Sequence, residues 1–118
     1  MQYFHVTLHI NGDNFHCMKE LIYARLYLPA IQKYGENTGI IDGPYQSDWN
    51  THHDRVLRLC DSLSSDLNVS KSDRFAVMTL NSHQFLELWH SAFLGAGVIN
   101  PLNLRLAPKE LAYILKDS

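Results

Sequence analysis

Three side chains at helical spacing, His83, Glu87 and His90, have the types most suited to a working site in this sequence. Steps of four and three put all three on one face of a helix. Glu87-x-x-His90 has the spacing of half a carboxylate metal site, and a carboxylate beside imidazoles also suits acid–base chemistry. Such a metal site needs further carboxylates from other helices, and the sequence suggests none. The plainer reading is a polar stripe opposite Phe85, Leu88 and Trp89. The other histidines offer less. On a helix His5 and His9 would share an ion, but on an alternating strand they stand about 13 Å apart at about 3.3 Å per residue. His16-Cys17 and His52-His53 are adjacent pairs with no second half at zinc-ligand spacing.

Other chemistries find no foothold. There is no G-x-S-x-G elbow, and neither Cys17 nor Cys60 has a helix-start or cationic setting that would lower its pKa. No G-x-x-x-x-G-K-[ST] phosphate loop occurs, and Gly95-Ala96-Gly97 follows a helical pattern, so its glycines are expected to end that helix and allow close packing. Two cysteines make no disulfide framework; Cys60 falls on a helix face that reads as buried, which suits a reducing, cytoplasmic setting. Ten Lys+Arg against twelve Asp+Glu, a net charge of −2, leave no basic surface for nucleic acid or anionic membrane. No apolar run approaches the roughly 20 residues that span a bilayer. The first ten residues lack the charged start, apolar stretch and cleavage site of a signal peptide.

Hydrophobic periodicity sets out the elements that would hold these side chains. Phe4, Val6, Leu8 and Ile10 alternate with polar residues, so Tyr3–Ile10 is expected to be a half-buried strand before an Asn11-Gly12 turn. Met18 to Leu28 changes to helical spacing, and Pro29 is expected to open a second short helix ending at Gly35. Gly39–Asp42, a Gly43-Pro44 turn and Tyr45–Ser47 read as a hairpin. Asp48 is a competent N-cap for a helix whose buried face carries Trp49, His53, Val56, Cys60, Leu63 and Leu67. Phe75–Leu80 is apolar without alternation, as a strand buried on both faces would be. Asn81 or Ser82 caps the next helix, Val98–Pro101 is a second short buried strand, and Pro108 opens a last helix with Leu111, Ala112, Ile114 and Leu115. The segment from Arg74 onward is therefore a βαβα unit, its strands parallel and its crossover right-handed. At 118 residues, with 46% hydrophobic residues, one α/β domain with a real core is expected.

The order Asp73-Arg74-Phe75-Ala76-Val77-Met78-Thr79-Leu80-Asn81-Ser82, then Phe85-Leu86-Glu87-Leu88, then Gly95-Ala96-Gly97-Val98-Ile99-Asn100-Pro101-Leu102-Asn103, closes on Arg105-Leu106-Ala107-Pro108 and the final helix. With Gly39–Gly43 and Trp49 through Leu59 upstream, it resembles the amino-terminal part of the AMP-forming acyl-CoA synthetases, the adenylate-forming ligases. The resemblance covers 18–118; residues 1–17 lie outside it, as an extension or because translation starts at Met18. Leu80 stands where proline is common, Ser72 where glycine usually precedes the Asp-Arg pair, and Asp48 where threonine often caps. The resemblance implies an α/β fold belonging to the large amino-terminal domain of such a ligase. It also implies a two-step reaction in the complete enzyme, using ATP, Mg and CoA: a carboxylic acid, expected to be fatty, becomes an acyl-adenylate and then a thioester. No residue of 1–118 matches a family catalytic, cofactor-binding or metal motif, so none is carried over, and the chain alone is expected to bind no cofactor and to be inactive. The competing classes are a non-enzymatic interaction or scaffold module and a small metal-binding protein built on His83, Glu87 and His90; a homo-oligomer is compatible with any of them.

A βαβα pattern calls for a further strand, and two parallel strands do not make a covered sheet. Leu111, Ile114 and Leu115 would then lack part of their packing surface. The isolated chain is accordingly expected to melt broadly or to self-associate in scanning calorimetry paired with light scattering. A sharp, cooperative transition of a monodisperse monomer is the opposite outcome.

Overall fold

In a computed structural model of the protein, which describes residues 23–118, helices and short strands alternate along the chain. The described residues form α1 (Tyr23–Tyr34), β1 (Thr38–Asp42), β2 (Tyr45–Asp48), α2 (Trp49–Ser65), β3 (Arg74–Val77), α3 (His83–Phe93), β4 (Val98–Pro101) and α4 (Pro108–Asp117). The expected strand Tyr3–Ile10, with His5 and His9, and the pair His16-Cys17 lie outside the described residues. β1 and β2 form an antiparallel hairpin closed by Asp42 opposite Tyr45. Its two-residue loop needs positive φ at the first position, and Gly43 supplies it at 57°. β3 and β4 are parallel, in register from Arg74 opposite Val98 to Val77 opposite Pro101, with α3 as the crossover. The architecture is the expected α/β one, a hairpin plus a βαβα unit. Among the described residues no helix is long and apolar enough to cross a membrane.

α2 is the central element. Asp48 starts it as expected, its Oδ1 accepting from the Thr51 N–H at 2.7 Å. Val56 and Leu63 are buried on its inner face, Tyr27 and Ile31 cover it from α1, Ile40 from the hairpin, and the small, fully buried Ser91 lets α3 approach. The hairpin is held close because Gly39 has no Cβ: one there would overlap the Trp49 indole.

Four expectations change. Pro29 does not divide two helices; α1 runs through it from Tyr23 to Tyr34. Tyr27 and Ile31, four apart and on either side of Pro29, are both buried, and packing that one face outweighs the hydrogen bond proline removes. The buried face of α2 holds His52 rather than the half-buried His53, and the helix ends at Ser65, leaving Leu67 68% exposed. β3 stops at Val77 instead of reaching Leu80; Met78 and Leu80 are 53% and 73% exposed. Neither β3 nor β4 is covered on both faces, since Ala76 and Val98 are exposed while Val77 is buried. Burial on both faces needs a layer on each side. Here α3 packs on one side, whereas α4 buries none of its residues, and a cleft of about 370 Å³ separates the Leu115–Ser118 end of α4 from Arg74 and Ala76.

Gly95 and Gly97 do what their position after α3 suggested. Gly95, with φ 98°, follows the C-cap Leu94. Gly97 has φ 135°, and a Cβ on it would stand 2.9 Å from Val69 Cγ1 and 3.2 Å from the Asp73 carbonyl oxygen. Gly97→Ala is therefore expected to lower stability by about 2 kcal/mol, from a forbidden φ joined to a clash. Asp48→Ala, which removes only the cap, should cost about 1 kcal/mol. Urea unfolding of the two variants measures both, and the reverse ranking would contradict the packing described.

Candidate functional site

The His83–Glu87–His90 stripe is not an outward polar face. Glu87 and His90 are 5% and 7% exposed and point into the junction of α1, α2 and α3, and His83 faces the hairpin. Each finds a separate partner. Arg55, on α2, forks onto Glu87, its Nε donating to Oε1 at 2.6 Å and its Nη2 to Oε2 at 3.2 Å. His90 Nδ1 lies 2.7 Å from His52 Nε2, with the two rings nearly perpendicular at 84°. Tyr23 and Tyr27 of α1 place their rings against His90, each with its centroid 5.3 Å away. His83 is held to the carboxylate of Asp42 at the end of β1, where Oδ2 accepts from the His83 backbone N–H at 2.9 Å and lies 2.8 Å from Nδ1. The Tyr45 ring stacks flat on the His83 imidazole at 3.7 Å.

These pairings follow from local structure. Ser82 caps α3, its Oγ accepting from the Phe85 N–H at 3.3 Å, and Asp42 adds a carboxylate at the same helix start, where the backbone N–H groups favour negative charge. The backbone hydrogen bond from His83 holds the Asp42 carboxyl below the usual carboxylate range. Burial pushes His90 down to about 4 and lowers His52, so both imidazoles are neutral at neutral pH and one shares a proton with the other. The hydrogen bonds to Glu87 raise Arg55 further above its already high value. Burial also pushes the Cys60 thiol up; its Sγ lies 3.8 Å from the Ser91 carbonyl oxygen, the setting of a structural and not a nucleophilic cysteine.

Chemically, the cluster is a set of pairs, each member of the trio bonded to a different partner. The trio that spacing put on one helix face is divided among Arg55, His52 and Asp42, so its members do not converge on one point. Among the described residues no group of three or more His, Cys, Asp or Glu side chains is arranged to hold a metal ion. His53, the other half of its adjacent pair, lies 3.3 Å from the Tyr27 hydroxyl. Sequence reasoning missed Arg55, His52, Asp42 and Tyr45 as partners. A signal existed for two of them: His52 and Arg55 are three apart on α2, as Glu87 and His90 are on α3.

Comparison with known proteins places this geometry in context. A family model described as AMP-binding enzyme matches residues 29–118. The chain is 37% identical over 89 residues to the peroxisomal benzoate–CoA ligase of Arabidopsis thaliana, covering 75% of this chain and 15% of that protein. It is 37% identical over 90 residues to the long-chain-fatty-acid–CoA ligase FadD13 of Mycobacterium tuberculosis, covering 76% and 17%. With 4-hydroxybutyrate–CoA ligase 2 of Metallosphaera sedula it shares 30% identity over 94 residues, covering 79% and 17%. The aligned part is thus about a sixth of the length of these curated relatives. The fold is similar to that of VinN, with a TM-score of 0.75 at 17% identity, over 83% of this chain and 26% of VinN.

The buried pairs predict two behaviours. His52 and His90 are held neutral in the folded state and take up protons near pH 6.5 once unfolded, so stability is complete above that pH. It falls as the pH drops toward the folded value of His90 near 4, by up to about 3 kcal/mol for His90 alone. Urea midpoints measured between pH 7.5 and 4 should show this loss, and His90→Phe should flatten it. Removing one partner of the ion pair should be asymmetric. Arg55→Ala strands a buried carboxylate and should cost about 3 kcal/mol. Glu87→Ala should cost less, because the Arg55 side chain is 38% exposed and rehydrates. Equal losses in chemical denaturation would contradict the burial difference.

Proposed function

The chain belongs to the AMP-binding enzyme family, and from that membership we propose that it serves a ligase that activates a hydrophobic carboxylic acid with ATP and transfers it to CoA. The observation that carries this reading is the continuous family match over 29–118, laid on a structure with the hairpin, capped helix and βα crossover in the expected order. The names of the relatives support the substrate class: benzoate, butyrate, trans-cinnamate and long-chain fatty acids are carboxylic acids joined to CoA. Within that class a fatty acid is our finer proposal. We propose residues 18–118 as the family segment, with 1–17 as an extension or a mis-assigned start. A cytoplasmic location belongs to the same proposal, although several relatives carry a peroxisomal designation in their names.

ATP, Mg and CoA are the groups such a reaction needs, and for the metal ion the carboxylates at the cleft and in the buried cluster are a poor fit. Asp73, the carboxylate at the cleft beside β3, is already committed, its Oδ2 accepting from the Ser70 N–H and Oγ at 2.8 and 2.6 Å. The other carboxylates of the buried cluster are held by Arg55 and His83. We assign this segment the role of scaffold: Gly97 and the α2–α3 packing hold the parallel strands on which a catalytic face can be mounted.

ATP–pyrophosphate exchange tests the proposal. The 118-residue chain should show none with benzoate, butyrate or palmitate. A polypeptide continued at the locus through a phosphate-binding loop should exchange with at least one of them. Exchange by the 118 residues alone would overturn the scaffold role, and no exchange by the continued polypeptide with any acid would overturn the ligase.

A further inference from the structure

His52 on α2 and His90 on α3 meet ring to ring, Nε2 lying 2.7 Å from Nδ1 with the planes at 84°. Both are buried, His52 completely and His90 to 7% exposure. A hydrogen bond between two neutral imidazoles places one proton between the rings, so two arrangements are open. Either His52 donates from Nε2 and His90 carries its own proton on Nε2, or His90 donates from Nδ1 and His52 carries its own proton on Nδ1. Among the described residues His52 Nδ1 is enclosed and has no hydrogen-bond partner, and no other ring nitrogen of the pair shares that condition. A buried N–H without an acceptor is costly and is the rarer kind of orphan. The first arrangement avoids it, leaving only a bare lone pair on His52 Nδ1.

A further proton has no good place while the rings stay together. With the shared proton kept between them, adding one fills both outer nitrogens, whichever arrangement it starts from. His52 Nδ1 then becomes an enclosed donor without an acceptor, in a pair that also carries charge. The surroundings offer no relief. From α1 the Tyr23 and Tyr27 rings close over His90, their phenols pushed up by burial and uncharged. On α2 the Cys60 thiol is pushed up in the same way, while burial first, then His53 and Arg55, oppose charge on His52. On α3 His83 opposes it too, and Glu87, which favours it, is bound by Arg55. Asp42 of the hairpin is spent on His83. We propose that the pair is an acid-release latch, holding α2 against α3 only while both rings are neutral and taking up protons only as the two helices part. Once open, each ring gains one proton from water near pH 6.5. Burial holds protonation of His90 in place down to about 4, so across the interval acid raises the open population and titrates neither ring in the closed form.

The test is long-range 1H–15N correlation of the imidazoles in the 15N-labelled 118-residue chain, from pH 7.5 to 5. Sucrose or urea is set so that the closed form is about nine-tenths of the chain at pH 7.5. There both rings should carry their proton on Nε2 with Nδ1 bare. On acidification those signals should keep their shifts and be essentially lost by pH 5, while a separate set from two imidazolium rings grows. The folded backbone amide signals of Val56 and Ser91 should fade in the same proportion. A proton on His52 Nδ1 at pH 7.5 overturns the arrangement and the latch with it. So does a closed-form ring signal that moves steadily with pH, or an imidazolium set that grows while the Val56 and Ser91 amides keep their strength, since either is protonation inside closed packing. Closed-form ring signals undiminished at pH 5 overturn it as well, and so does a chain with no closed form at neutral pH, where the pair holds nothing together.

Discussion

A carboxylate shut inside a protein must be matched, and Glu87 is the constraint around which this fold is arranged. Its match is Arg55, which reaches in from the partly exposed side of α2 with a two-pronged hydrogen bond. Three residues along each helix, His52 meets His90. These two rungs define the register between α2 and α3: sliding either helix by a turn would leave a charge and two imidazoles buried without partners. Apolar contacts such as Val56 against its neighbours tolerate a slip far better, because they are not directional. The hairpin joins the same system through Asp42 and His83, so three polar pairs decide how the helices and the hairpin meet.

Much of the architecture could be read from residue types. Asp48 and Ser82 marked helix starts because an oxygen one position before a helical pattern has free N–H groups to accept from. Gly43, Gly95 and Gly97 marked places where the chain needs positive φ. The errors about the candidate site share one cause. Periodicity treats His, Glu and Ser as outward-facing, whereas the buried side of α3 includes Glu87, His90 and Ser91. Which polar residues go inside depends on partners 30 to 40 positions away, and no local pattern contains that distance. The shift from His53 to His52 on α2 likewise turns on a distant partner, because the contact with His90 selects which of the adjacent pair is buried. An imidazole with a partner across the helix interface won the buried position from its adjacent twin.

The candidate site was legible only as a cluster. Spacing correctly put His83, Glu87 and His90 on one helical face, but whether three such groups converge or part depends on what stands opposite. Arg55 carries charge complementary to Glu87, Asp42 offers His83 a hydrogen-bond acceptor, and each draws its partner in a different direction. The result is internal cement and not a reactive centre. That outcome suits the scaffold role proposed for this segment, since the residues best equipped for chemistry here are paired with one another.

The contrast between α2 and α4 has a further consequence. α4 begins with half a capping box, Glu110 accepting from the Ala107 N–H at 2.7 Å while Ala107 has no oxygen to return the bond, and none of its side chains is buried. Local opening of such a helix exposes little new apolar surface, so it costs a small fraction of global unfolding. Its amides should therefore exchange with deuterium through fraying alone. Those around Val56 and Ser91 should wait for the whole α2–α3 unit to come apart, which makes the chain two cooperative regions of very different lifetime joined by the Gly97 turn and β4.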